Sequence, residues 1–548
     1  MRAMILAAGM GIRLGKITSE IPKPLVRIGE NTCIIDTIVQ KLKCVGIDRI
    51  AVNLFYHGKK IEEYLSENYP ETHWRFFYEK ELLNTGGGIA NAGEFLQQDD
   101  QVIIINSDIL IFFDLEEYIE IHRKSGAIAS LLLVSDNPEK NAVYFDPQKG
   151  LSGFADSKGR ILYELEKYIS SKNEKGTFTG IHIFDKKFFN YLHEGKYSII
   201  DVYTNLIKQK NKINVIPIGL DYWSDIGTPQ RLKKARKIYS VLNSLEFSKK
   251  IKKAEKVFVG ASNKIILRII WENDLTEILM LSDDIMELNA WSSFSSFFRK
   301  SEFKVPSVLK QSENWLLIED SGRKSLCDLV QESGLEHPHI KNIYQKSIEM
   351  LINLSKIDVN KFPVNACYPV RYFDLDNIKF DINLYNDFYL KKHLSEAEVN
   401  LIANEIYKEL DKSPKSIMHR DFQSTNLLIN NGKISVIDLQ SMRIGYSIYD
   451  AASLLLDSNI PFNTEFIEEF REIYFQKMSY SSKHEKLFWI ATFLRVIHDL
   501  GIFANIGKSK QYFKNKIKSA ELRLDFIKQK CAEFLQSSTF LQNVDLKK

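Results

Sequence analysis

Short apolar runs alternate with amphipathic stretches through the first half of the chain, a pattern of buried strands joined by helices. Residues 3–9, "AMILAAG", read as a strand running into a loop. Residues 33–46, "CIIDTIVQKLKCVG", read as an amphipathic helix stopped by Gly46. "DRIAVNL" predicts a strand, "GKKIEEYLSENY" a helix, and "QVIIINSD" and "GAIASLLLV" two more strands. A late strand, "INVIPIGLDYWSDIG", is expected to end in Asp225, before the helix "PQRLKKARKIYSVLNSL". The order predicts an open α/β sheet that binds ligands at the carboxyl ends of its strands. A basic polar stretch, "SKKIKKAEK", marks a boundary between residues 243 and 255, giving domains 1–243 and 255–548. The second domain opens β-rich, with "KVFVGASNKIILRII", "TEILMLS" and "ENWLLIED", and is mostly helical from about residue 339.

Composition narrows the class. The chain has 548 residues, too many for one ordinary core, with 44% hydrophobic and 26% charged residues. A surplus of 74 basic over 70 acidic residues does not point to nucleic acid. Five cysteines (33, 44, 327, 367 and 531) include no Cys-x-x-Cys pair, so neither a disulfide framework nor a zinc site is expected, and a reducing cytoplasm fits. No apolar stretch reads as a membrane span, because Asn106, Ser107 and Asp108 cut "VIIINSDILIFF". Arg13 and the glycines before it argue against an export signal at the start.

Two regions carry chemistry. In "LAAGMGIRL", Gly9 and Gly11 let backbone N–H groups curl round phosphate oxygens. Arg13 and Lys23, the latter in "PKPL", supply two cations for a triphosphate. "NTGGGIANAG" reads as a second glycine-rich turn, suited to a base or ribose. Asp108 and Asp225 each end a strand; facing one cleft they make a magnesium site, although either alone reads equally well as a turn carboxylate. In the second half, "SIMHRDFQSTNLL" spaces Asp421 and Asn426 as kinases space a base and a magnesium ligand, and Asp438 in "VIDLQ" supplies another ligand. A small β lobe followed by a helical lobe with this loop is protein-kinase-like architecture. His419 reads as a structural residue beneath the loop, and Asp450 as its anchor. No strand lysine for the ATP phosphates is evident where "TEILMLSDD" stands; Lys264 and Arg268 are the nearby cations.

Over residues 1–240 the chain resembles the sugar-1-phosphate nucleotidyltransferases, through "LAAGMGIRL", "PKPL", "NTGGGI", "NSD", "GTFTGIHIF" and "YWSDIGT". "LLLVSDNP" and "TFTGIHIF" look like the branch acting on N-acetylmuramate 1-phosphate. The resemblance implies a UTP-using enzyme. Arg13 and Lys23 would grip phosphates and Asp108 and Asp225 would hold magnesium. Gly9, Gly11 and Gly87 would line the nucleotide, with Thr179 and Gly180 near the sugar. Ser107 departs from the usual Asn-Gly-Asp. Over residues 255–535 the chain resembles aminoglycoside phosphotransferase-like kinases, and most the anomeric kinases of N-acetyl sugars. The carrying stretches are "WLLIEDSG", "FDINLYNDFYLKKHL", "HRDFQSTNLL", "IDLQSMRIGYSIYDAASLLLD" and "FLRVIHDLGIFA". Together the resemblances imply ATP, UTP and a free amino sugar as substrates, magnesium as cofactor, no nucleic acid or membrane partner, and a place in peptidoglycan recycling. They leave the oligomeric state open. Two rivals remain: a choline kinase fused to a cytidylyltransferase, and a nucleotidyltransferase with a non-catalytic kinase-like module.

Overall fold

The computed structural model describes all residues except 137, 139–140, 164, 247–248, 258–263, 391–392, 507–510 and 535–548. It divides into two compact units, Met1–Val257 with Leu267–Thr276, and Phe258–Ile266 with Glu277–Lys548.

Among the described residues the first unit's main sheet has nine strands: β1 (Arg2–Leu6), β2 (Arg49–Leu54), β3 (His73–Tyr78), β4 (Gln101–Asn106), β6 (Ala129–Val134), β7 (Val143–Asp146), β8 (Gly150–Phe154), β9 (Glu174–Asp185) and β10 (Ile213–Pro217). The main path runs β10-β6-β9-β4-β1-β2-β3. β1 pairs in parallel with β2 on one side and β4 on the other. The chain leaves β1 toward β2 and β3, then crosses back to β4. That reversal makes the carboxyl end of β1 the switch point, where open α/β sheets bind ligands. The short β5 (Ile109–Ile111) pairs antiparallel with β11 (Trp223–Asp225) beside it. Two apolar cores sandwich the sheet. Helices α1 (Ile34–Cys44), α2 (Gly58–Asn68), α3 (Asn84–Asn91), α4 (Gly93–Leu96), α5 (Leu115–Ser125), α6 (Ile199–Lys208) and α7 (Pro229–Glu246) complete the unit. The predicted Rossmann-like sheet is present.

Some expectations are corrected. The stretch 213–227 is two strands, because a turn at Gly219, φ 57°, separates β10 from β11. "NTGGGIANAG" is helical, forming α3 and the start of α4. Its glycines answer close packing: a Cβ on Gly86 would lie 2.4 Å from Tyr197, and one on Gly87 would lie 2.0 Å from the Gly195 carbonyl oxygen. Gly87→Ala is therefore expected to cost about 2 kcal/mol, seen as a lowered melting temperature of the first unit; an unchanged melting temperature counts against this packing. "SKKIKKAEK" contains a strand, β12 (Ile251–Lys256), paired antiparallel with β13 (Ile265–Trp271). Ala254 is fully buried there, its N–H donating to the Phe112 carbonyl, and Lys253 pairs with Asp221 at 2.9 Å. The strand predicted across 256–270 falls partly on residues 258–263, outside the described residues.

In the second unit β14 (Thr276–Leu281) pairs with β16 (Trp315–Glu319), which also pairs with β15 (Val308–Ser312). Helix α8 (Ile285–Phe298) packs on β15 and β16, and β17 (Lys324–Ser325) leads into α9 (Leu326–Ser333). The helical lobe holds α10 (Pro338–Ser355), α11 (Leu375–Phe388), α12 (Glu396–Leu410), α13 (Ser447–Leu455), α14 (Thr464–Met478), α15 (Ser482–Ile506) and α16 (Gln511–Phe534). Between α12 and α13 lie β18 (Ser416–Met418), β19 (Leu427–Asn430), β20 (Lys433–Val436) and β21 (Arg443–Gly445). This is the kinase-like architecture expected. Helix α15 is long and apolar enough to cross a membrane, which the sequence reading overlooked; 83% of that apolar window is buried, and α15 packs against α11, α13 and α16 as a core helix.

Candidate active sites

In the first unit Leu6 lies opposite Asn53 on one side and Asn106 on the other. The loop leaving β1 turns at Gly11, φ 66°, where a Cβ would meet Thr18 at 3.1 Å and Lys23 Cβ at 3.3 Å. That close approach brings Lys23 under the loop. Gly9 is exposed, with open space where its Cβ would be. Lys23 Nζ is ion-paired with Asp108, which lies in the turn after β4 and not on the strand itself. Asp225 sits opposite Ile109, and the Ile226 N–H donates to the Asp108 carbonyl at 3.0 Å. Asp225 Oδ2 pairs with Arg231, and its Oδ1 accepts the Gly227 N–H at 2.7 Å. A Cβ on Gly227 would lie 2.6 Å from Asp225 Oδ1 and 3.0 Å from Arg13 Nη2, so Arg13 reaches the same turn.

Arg13, Lys23, Asp108 and Asp225 are thus gathered beside Gly11. Two carboxylates, one in the turn after β4 and one ending β11, are hard oxygen donors, and each faces a cationic side chain. That donor set suits magnesium. Gly87 stands apart, in α3, linked to this edge through buried polar groups. The Ala7 N–H donates to Asn53 at 2.8 Å, Asn53 donates to Glu79 at 2.7 Å, and Glu79 accepts the Leu83 N–H at 2.8 Å. Gly180, φ 84°, lies against Asn106, two residues before Asp108. The neighbouring Thr179 hydroxyl is buried and donates to the Leu132 carbonyl at 2.8 Å. Sequence reasoning missed Arg231, Asn53 and Glu79. Arg231, six residues after Asp225 on α7, was findable as a cation in the first turn of a helix that follows a strand-end carboxylate.

In the second unit Asp421 follows β18. Arg420 takes the left-handed φ of 78°, uncommon outside glycine, and Asp450 on α13 holds the turn by accepting the His419 N–H at 2.7 Å and the Arg420 N–H at 2.9 Å. His419 is fully buried, its Nε2 3.0 Å from the Ile437 carbonyl. Asn426 Nδ2 donates to the Asp421 carbonyl at 2.9 Å, tying the two predicted residues together. Asp438, φ 68°, lies 3.6 Å from Lys264 Nζ, and the same ammonium pairs with Glu287 on α8 at 2.8 Å. Lys264, one of the two nearby cations named from the sequence, is 6% exposed and lies just before β13. Arg268 belongs to the first unit, opposite Glu255 in the β12–β13 ladder.

Three residues of "FLRVIHDLGIFA" and one of "FDINLYNDFYLKKHL" surround the loop. Arg495 Nη1 donates to Asp421 Oδ1 at 2.6 Å and Nη2 lies 2.9 Å from Asp499. Asp381 on α11 accepts from Arg420 Nη2 at 2.7 Å and lies 2.9 Å from His498 Nδ1. Lys391 and Lys392 of the latter stretch lie outside the described residues. Burial alone would raise the Asp421 carboxyl; the Arg495 and Arg420 guanidiniums overrule it and hold it well below the usual carboxylate range. Asp450 behaves oppositely. Burial pushes it up from about 3.8 to about 7, against the two loop N–H donors. The folded protein then keeps a proton there that the unfolded chain loses, so this group's stabilisation is full below about 4 and is lost as pH rises through about 7. Asp450→Asn, compared with wild type in urea titrations across that window, is expected to remove this share of the slope. Identical slopes would show the carboxyl ionised throughout.

Residues 2–240 match the nucleotidyl transferase family and residues 260–484 the phosphotransferase enzyme family. The first region is 29% identical over 243 residues to the bifunctional protein GlmU of Methanocaldococcus jannaschii, covering 43% of this chain and 54% of that protein. It is 28% identical over 246 residues to a UTP–glucose-1-phosphate uridylyltransferase of Synechocystis, covering 41% and 60%. It is 32% identical over 240 residues to the D-glycero-alpha-D-manno-heptose 1-phosphate guanylyltransferase of Aneurinibacillus thermoaerophilus, covering 43% of this chain and 97% of that one. The chain thus spans 54% and 60% of the lengths of the first two relatives.

Proposed function

We propose that this chain, which belongs to the nucleotidyl transferase family through residues 2–240, phosphorylates an N-acetyl amino sugar at its anomeric hydroxyl with ATP and transfers UMP from UTP to the sugar 1-phosphate so formed. A front domain of residues 1–243 performs the transfer and a back domain of residues 255–548 the phosphorylation. The observation that carries the pairing is that one chain holds two clusters of cations and carboxylates. Arg13, Lys23, Asp108 and Asp225 form one. Lys264, Glu287, Asp421, Asn426 and Asp438 form the other. The Lys264–Glu287 pair supports a catalytic kinase module over a non-catalytic one.

The back reaction needs somewhere for a hydroxyl proton to go as the oxygen attacks the γ-phosphorus. Asp421 is the base, and Lys264 holds the ATP phosphates. The front reaction needs no base, since a phosphate monoester with a second pKa of about 6 is already a nucleophile. Arg13 and Lys23 steady the triphosphate for in-line attack at the α-phosphorus, with Gly9 and Gly11 giving backbone approach. Gly87 contributes from α3 through backbone alone, and Gly180 lies near the sugar. Magnesium would be held by Asp108 and Asp225 in one unit and by Asn426 and Asp438 in the other, supplying charge neutralisation at the phosphates. The preferred sugar is N-acetylmuramate, which places the product, a UDP-sugar, in peptidoglycan recycling in the cytoplasm, where ATP and UTP are at hand.

The test offers free N-acetylmuramate, N-acetylglucosamine, glucose and choline with ATP, magnesium and either UTP or GTP, read by product mass. GTP is included because one relative is named a guanylyltransferase. Phosphorus NMR of the intermediate is expected to show coupling to H1, as an anomeric phosphate does. A 6-phosphate, or phosphocholine with no sugar product, would overturn the reading.

A further inference from the structure

Asp381 and His498 sit beside the catalytic loop without a part in the chemistry above. Asp381 is fully buried and ion-paired with Arg420, so it is a carboxylate that can only accept. Its Oδ1 lies 2.9 Å from His498 Nδ1, and therefore Nδ1 carries the ring proton. In the neutral ring the other nitrogen, Nε2, is then a bare lone pair. From Leu487 to Gly501 every residue of α15 is buried except His498, whose side chain is 16% exposed. With Nδ1 turned to a buried carboxylate, the exposed edge is the Nε2 edge, and none of the hydrogen bonds among the described residues engages it. Arg495, three residues earlier and on the same face of α15, takes Oδ1 of Asp421. Oδ2 of Asp421, on a side chain 25% exposed, takes part in none of the hydrogen bonds among the described residues. A carboxylate oxygen and an imidazole nitrogen, both acceptors and neither engaged in a hydrogen bond among the described residues, are thus brought together by residues one turn apart on α15.

A ligand with two adjacent donors fits such a pair. On a free N-acetyl amino sugar the anomeric hydroxyl has one neighbour on the ring, the acetamido N–H at C2. Resting on the kinase reading above, we propose that His498 Nε2 accepts the C2 acetamido N–H while Asp421 takes the anomeric hydroxyl, making His498 a specificity-determining residue for the sugar. The pair Asp381–His498 reads the substituent beside the reacting carbon. Asp381 acts through His498, fixing which nitrogen faces the sugar.

The test compares N-acetylglucosamine with 2-deoxyglucose, which lacks any C2 donor, in the full chain with ATP and magnesium. Where 2-deoxyglucose turns over too slowly, its inhibition constant is used. His498→Ala is expected to lower kcat/KM for N-acetylglucosamine about 10- to 100-fold, chiefly through KM, and to leave 2-deoxyglucose within about threefold of wild type. His498→Gln, whose side-chain oxygen also accepts, is expected to recover at least about fivefold over His498→Ala. Equal losses on both sugars, or no recovery with glutamine in a variant that melts like wild type, would overturn the assignment while leaving the kinase reading in place. A wild-type chain that phosphorylates no sugar would remove both.

Discussion

Asp421→Asn abolishes ATP-dependent phosphorylation, with an expected loss of about 10²- to 10⁴-fold in kcat, while nucleotidyl transfer to a supplied sugar 1-phosphate continues at the wild-type rate. Asparagine keeps the shape of the side chain and one acceptor oxygen. It loses the negative charge that pairs with Arg495 at 2.6 Å and the capacity to draw a proton from the acceptor. The backbone around it is secured independently, by Asp450 on the His419 and Arg420 N–H groups and by Asn426 on the Asp421 carbonyl, so the loop keeps its course. The two rates are measured on one preparation, by release of ADP with free sugar and of pyrophosphate with sugar 1-phosphate. Loss of both activities would sink the assignment of one reaction to each unit.

The second large effect runs the other way. Asp108→Ala and Asp225→Ala are each expected to reduce nucleotidyl transfer by about 10³-fold or more, with phosphorylation of free sugar intact. Each substitution removes an oxygen that would hold magnesium and strands a cation, Lys23 in one case and Arg231 in the other. The stranded cation is partly solvated, so the expected change in melting temperature is small beside the change in rate. Titrating magnesium separates the causes: a metal defect shifts the magnesium requirement upward, and a folding defect does not. Near-normal transfer by either variant at ordinary magnesium would exclude that residue from the metal site.

Much of this was legible in the chain because periodicity and spacing are local. The strands β1, β2, β4 and β6 and the helices α1 and α2 appear where the apolar pattern puts them. The spacing from Asp421 to Asn426 needed no fold to be read. What was not legible depends on distance in sequence. Arg495 meets Asp421 across 74 residues and His498 meets Asp381 across 117, and neither pairing leaves a local trace. Lys264 was legible only as one of two nearby cations, because its partner Glu287 lies on another element and a lysine just before a strand looks like any flanking charge. The triple glycine of α3 suggested a turn, since the side chains that force it to be glycine, Tyr197 and Asn53, are remote in sequence.

The carboxylate of Asp381 has a consequence for how such a chain can change over time. It binds Arg420 of the loop and His498 of α15 at once and is fully buried between them. A substitution at 381 strands a buried guanidinium, and one at 420 strands a buried carboxylate, so single steps at these positions are costly. Variation there is expected to be epistatic, with positions 381, 420 and 498 changing together or not at all. Sequences diverging from this one should show covariation among the three, and grafting α11 alone from a chain with different residues at these positions should yield protein that folds poorly until the loop and α15 positions follow.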